Sequence, residues 1–178
     1  MTPTRRGLLG AALAALVAGP AAAHTPFRQW VVYRRKHLLI GAHRGDARTY
    51  ALAKALEAAL ALELPEARAR VARGPRPQRI AKLIGTGQLM TAVLADAEAR
   101  AMVEARPPFE AEPPTPLLRM AALERGYSLY ASFEFPPDHA YMVASAIAEA
   151  GLAAPPKRDD FPPHQGALAF WDGRPPPE

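Results

Sequence analysis

Two short runs in this chain place arginines beside small and polar residues directly after an apolar or β-prone segment. The first is Ala42-His43-Arg44-Gly45-Asp46-Ala47-Arg48-Thr49-Tyr50, and the second is Arg73-Gly74-Pro75-Arg76-Pro77-Gln78. Arginine offers paired donors that match a carboxylate. A helix starting within such a loop adds free backbone N–H groups that favour an anion. From the first loop the candidate ligand-binding residues are His43, Arg44, Asp46, Arg48, Thr49 and Tyr50, with Tyr50 as an aromatic wall. Asp46 also suits the N-cap of the following helix. From the second they are Arg73, Gly74, Arg76 and Gln78, Gly74 permitting close backbone approach; a proline-stiffened turn with exposed arginines is the plainer alternative. Asp96 follows a third apolar run. It offers a carboxylate to a ligand ammonium or a metal, or a cap to the next helix, and capping is the expected role.

Other chemistry is sparse. With no Cys, disulfides, thiolate metal sites and a cysteine nucleophile are excluded. The chain has no G-x-S-x-G, no P-loop and no H-E-x-x-H, so no enzyme is expected and no cofactor is called for. A separate metal site is offered at His24. Cleavage after Ala23 would leave its α-amine and imidazole as a chelate suited to copper, with His37, His43, His139 or His164 as a further ligand.

The elements that must position these residues follow from periodicity. Residues 37–41 form an apolar run that reads as a strand, with residues 30–33 before it an edge strand or turn. Leu52, Ala55, Leu56, Ala59 and Leu60 recur at helical spacing, and Pro65 stops the helix. Residues 68–72 form a second strand. Ile80, Leu83 and Ile84 mark a second helix that ends at Gly85-Thr86-Gly87. Residues 90–94 make a third strand and 97–104 a short helix. A proline-rich connector leads to strands at 117–123 and 127–133, a helix from Pro136 to about Ala150, and a last helix at 164–171. Strands alternating with helices imply an α/β fold, a mainly parallel sheet flanked by helices on both faces. Ligands of such sheets bind outside the carboxyl ends of the strands, where both loops lie.

The 178 residues suit one domain with a small appendage. We divide them into an export signal (1–23), one lobe (24–154) and a Pro-rich tail with a short docking helix (155–178). Thr4-Arg5-Arg6-Gly7-Leu8-Leu9 resembles a twin-arginine export signal, and an Ala- and Gly-rich run ending Ala21-Ala22-Ala23 supplies a cleavage signal. An ordinary secretory signal is the alternative. Either route gives a periplasmic protein with no membrane span after signal removal. The net charge of +5 is spread along helices, and 5 Tyr and 6 Phe form no stacking platform, so no nucleic-acid partner is expected.

Four segments resemble a known family. Leu38-Leu39-Ile40-Gly41 with Thr49-Tyr50-Ala51-Leu52 is similar to the first strand and helix of TAXI-type solute receptors, the binding subunits of one class of TRAP transporters. Residues 76–96 resemble that family's second helix and third strand. Phe135-Pro136-Pro137-Asp138 resembles its late helix start, and Pro163-His164-Gln165-Gly166-Ala167 its tail. The family belongs to the type II periplasmic binding proteins, which hold a ligand between two lobes. The resemblance therefore implies a single, periplasmic-binding-protein-like lobe, since this chain lacks the length for a second. It implies binding of a small organic anion, or of a periplasmic protein partner such as a transporter subunit or enzyme. An accessory or chaperone-like protein and a metal-handling protein are the alternatives, and dimerisation stays open.

Overall fold

A computed structural model describes Tyr33, residues 36–157 and residues 161–177. The export signal, His24 and most of residues 30–33 lie outside these residues. The elements are β1 (Leu39–His43), α1 (Ala47–Glu63), β2 (Arg70–Gly74), α2 (Pro77–Gly85), β3 (Thr91–Ala95) and α3 (Asp96–Val103). They continue with β4 (Leu117–Glu124), β5 (Tyr127–Ser132), α4 (Pro137–Glu149) and α5 (Gln165–Trp171). The fold is α/β, with one 5-stranded sheet in the order β2-β1-β3-β5-β4. β1 pairs in parallel with β2 and β3, whereas β5 is antiparallel to both β3 and β4.

Helices cover both faces. On one, Ile40, Ala42, Val93, Leu129 and Ala131 of the sheet pack with Leu56 and Leu60 of α1, Val143 and Ile147 of α4, and Ala167 of α5. On the other, Ala92, Leu94 and Tyr130 pack with Ile80 and Ile84 of α2 and Ala99 and Met102 of α3. This alternation is the two-residue period of a strand buried on both sides.

Strand boundaries differ from the expected ones. β1 runs two residues further than expected, because its ladder with β2 extends from Leu39 opposite Arg70 to His43 opposite Gly74. Gly41 consequently lies inside the strand. A Cβ there would sit 2.5 Å from Leu89 Cδ2 and 3.0 Å from Ala92 Cβ, so any larger residue forces Leu89 to move. β2 likewise starts at Arg70 and takes in Arg73 and Gly74, because Arg68 has a left-handed backbone, φ 45°, that no strand tolerates. In α1 the buried stripe is Thr49, Ala53, Leu56, Ala59 and Leu60, and Ala55, expected on that face, is exposed.

The segment after α4 closes one edge of the sheet. Ala154 bridges Ala122 of β4 through two backbone hydrogen bonds of 3.0 and 2.8 Å. Arg119 donates its N–H to Pro162 O at 3.0 Å, and His164 N–H donates to Arg119 O at 2.9 Å. Beyond this strap α5 docks on α4 and β4, with the Trp171 indole donating to Met120 O at 3.1 Å. Gly166 sits on the first residue of α4, where a Cβ would lie 1.8 Å from Pro137 O.

Candidate functional site

The carboxyl ends of the parallel strands β1, β2 and β3 share one edge of the sheet, and the β4–β5 turn shares it too, since Tyr127 lies opposite Ala95. Each expected site residue can be placed there.

His43 is the last residue of β1 and is buried, not a loop residue, because β1 extends to it. Its Nε2–H faces Glu98 Oε2 in the first turn of α3 at 3.1 Å, while Nδ1 is buried without a partner. The hydrogen bond to Glu98 raises the His43 pKa, against the opposing effect of burial. Gly45 lies over the imidazole, its ideal Cβ position 3.0 Å from Nδ1. Asp46 is the N-cap of α1: its Oδ1 accepts the Arg48 N–H at 2.8 Å and its Oδ2 accepts the Tyr127 hydroxyl at 2.9 Å. That second bond pushes the Tyr127 phenol pKa up. Thr49 is buried, and its hydroxyl donates to Asp46 O at 2.8 Å, so it completes the helix start.

Arg48 forms a two-pronged ion pair with Glu124, which holds the Glu124 carboxyl below its ordinary range. Arg48 is thereby occupied. Arg73, on β2, lies over the Tyr50 ring with its guanidinium carbon 4.2 Å from the centroid. Gly74 is buried, and a Cβ there would meet Ile80 Cδ1 at 2.9 Å, so its smallness serves the packing of α2. Arg76 is the exposed N-cap of α2, with no side chain capping that helix. Gln78 Nε2 donates to Pro108 O at 3.2 Å, tying α2 to the connector, and its Oε1 is buried without a partner.

Asp96 departs from expectation. The N-cap of α3 is Ala95, and the Asp96 side chain does not cap. Its Oδ1 accepts Ser128 Oγ–H at 2.7 Å and the Tyr130 hydroxyl at 2.9 Å. The buried Arg119 guanidinium donates to the Tyr130 oxygen at 3.1 Å and lies 3.7 Å from Asp96 Oδ1. Arg119 also lies over the Phe161 ring, 5.3 Å from its centroid. Burial pushes the Tyr130 phenol pKa far up, so the hydroxyl stays protonated as a donor. The strand parity of Ser128 and Tyr130 and the in-register pairing of Arg119 with Tyr130 build this network.

Sequence reasoning passed over Glu98, Arg119, Glu124, Tyr127, Ser128 and Tyr130. One signal was available: Arg119 interrupts the otherwise apolar Leu117-Leu118-Arg119-Met120-Ala121-Ala122-Leu123, which marks a buried charge that needs partners.

The electrostatic outcome is one-sided. Of the carboxylates at this edge, Asp46, Asp96, Glu98 and Glu124 each have a partner within the fold. Arg44, Arg73 and Arg76 have no carboxylate partner among the described residues, and all three are exposed. Arg44 donates its backbone N–H to Gly74 O at 3.0 Å, which joins the end of β1, where Arg44 follows, to the end of β2, which Arg73 and Arg76 flank.

Comparison with protein-family models, with curated proteins and with solved structures finds no match to this chain.

Proposed function

We propose that this chain is a solute-binding lobe that takes a small organic anion at the carboxyl ends of β1 and β2. The observation that carries the reading is the charge imbalance there. The local acids are engaged inside the fold, and Arg44, Arg73 and Arg76 are left with exposed positive charge. Arg44 and Arg76 clamp the carboxylate or phosphate with paired N–H donors. Arg73, held over Tyr50, adds a third charge with little loss of side-chain freedom. At the start of α2 the backbone N–H of Gln78 faces the same anion, since Pro77 has none and Arg79 N–H donates to Arg76 O at 3.1 Å. Asp46, Thr49, Arg48 and Glu124 hold the loop and do not touch the solute.

The resemblance of four segments to TAXI-type receptors supports this reading, and the Arg5-Arg6 leader supports an exported location for it. Arg44, Arg73 and Arg76 are all exposed, so much of a bound solute's surface stays in water and affinity depends on the charged contacts.

A thermal-shift screen with mono- and dicarboxylates and phosphate esters tests it. The expected result is a raised melting temperature with at least one anion, falling with added salt. Arg44→Ala and Arg76→Ala should each weaken that anion by about tenfold or more, since hydrogen bonds to charged groups contribute about 1.5–3 kcal/mol. Arg48→Ala, which removes an occupied arginine, should leave the affinity within about twofold. Failure of every anion in the screen to shift the melting temperature would end this reading.

A further inference from the structure

The two edges of the sheet are treated differently. The outer edge of β4 is covered by the chain's own tail through Ala154 and Pro162 to His164. Among the described residues β2, at the other end of the sheet order, pairs only with β1. Arg70 donates its backbone N–H to Leu38 O at 2.9 Å, and Gly74 O accepts from Arg44, so these two residues face β1. Strand residues alternate in direction, so Ala72 also faces β1, while Val71 and Arg73 turn their N–H and C=O groups outward. No described residue pairs with those outward groups.

Along β2 and the loop after it the charge has one sign. Residues 68–79 hold Arg68, Arg70, Arg73, Arg76 and Arg79 and no carboxylate. Arg70 lies 3.8 Å from Glu57, and Arg68, Arg73 and Arg76 have no acidic partner among the described residues. A second copy pairing through β2 would set arginine against arginine, which is unfavourable across a strand pair.

We propose that the open edge of β2 docks an extended acidic segment of a partner protein, which adds to the sheet as a sixth strand. Main-chain hydrogen bonds to Val71 and Arg73 supply the geometry, and acidic side chains opposite Arg73 and alongside Arg68, just before the strand, supply the selectivity. This surface shares Arg73 with the proposed solute site but does not include Arg44, so Arg44→Ala tells the two apart.

The experiment measures fluorescence anisotropy of a labelled peptide of alternating glutamate and valine added to the full chain. Two controls are an alternating lysine and valine peptide and the acidic peptide with alternate backbone amides N-methylated. The acidic peptide binds, more weakly as salt rises, and the lysine peptide does not. N-methylation on the pairing side costs about tenfold, the equivalent of one or two hydrogen bonds. Val71→Pro removes an outward N–H without touching the ladder to β1, and it costs a similar factor. Arg68→Glu lowers affinity further, and Arg44→Ala leaves peptide binding intact. Absence of binding overturns the proposal. So does binding that N-methylation at either set of amides leaves unchanged, because that marks simple charge adsorption. The N-methyl comparison is made on the unaltered protein, so it decides even if Val71→Pro fails to fold.

Discussion

His43 and His164 are both buried, and their surroundings act on them in opposite directions. Glu98 raises the His43 pKa above its ordinary 6.5, so the folded state binds the proton more tightly than the unfolded chain. The stability it contributes is full below pH 6.5 and is lost as pH rises through the raised value. His164 is held neutral: burial lowers its pKa, Nε2–H donates to Phe135 O at 2.9 Å, and Nδ1 accepts the Gly166 N–H at 3.3 Å. Protonating Nδ1 breaks that cap. Its contribution is therefore present above pH 6.5 and lost as pH falls towards the lowered value. Urea unfolding across this range should show His43→Gln removing the decline on the alkaline side and His164→Gln removing the decline on the acid side. Curves parallel to the parent protein at all pH values would contradict both assignments. At this scale the sequence was readable where partners are local. Asp46 as a cap needs only Arg48 two residues on. The role of Asp96 was hidden, because Ser128 and Tyr130 reach it only after the chain has formed the β4–β5 hairpin.

Elements depend on small residues where they meet. α5 touches α4 at Gly166, where any side chain would collide with the backbone of Pro137. Gly166→Ala should therefore destabilise by at least about 3 kcal/mol, as overpacking against backbone does, with a matching fall in the denaturant midpoint. Gly41→Ala should be milder, at about 1–3 kcal/mol, because Leu89 is a side chain that can shift. A Gly166→Ala midpoint within error of the parent would show that α5 does not dock as described. The helices were legible because their apolar spacing, Pro65 and the glycines Gly85 and Gly87 at the end of α2 are all local signals. Strand ends were less so. A strand stops where its partner stops, and β1 and β2 each reach two residues further than their own composition indicates, as far as the pairing of His43 with Gly74. That shift moved His43, Arg73 and Gly74 from loops into the sheet.

At the scale of the molecule, the parallel half of the sheet and its helices on both faces could be read from the alternation of elements. The placement of β5 between β3 and β4 could not, because no local pattern specifies which strand a hairpin presents to its neighbour. Its direction was legible: the short turn Arg125-Gly126 between β4 and β5 leaves no room for a parallel crossover. The tail makes the sheet and the last helix one cooperative body. In a Trp30→Phe background, loss of Trp171 fluorescence and loss of far-UV circular dichroism should coincide on heating; separate transitions would mean that α5 melts from an independent lobe. A chain ending at Ala153 should keep its strands yet self-associate, seen as a rise in light scattering, because β4 is then a bare edge.

The strap over β4 also has a meaning in time. Ala154 and Pro162 to His164 follow all five strands in the chain, so the ribosome makes them after the sheet they seal. A growing chain carries an adhesive border until this segment emerges, and a prematurely terminated one carries it permanently. Only a polypeptide translated past His164 can cover that border in full, so the last part of the edge to be protected is also among the last parts of the chain to be made.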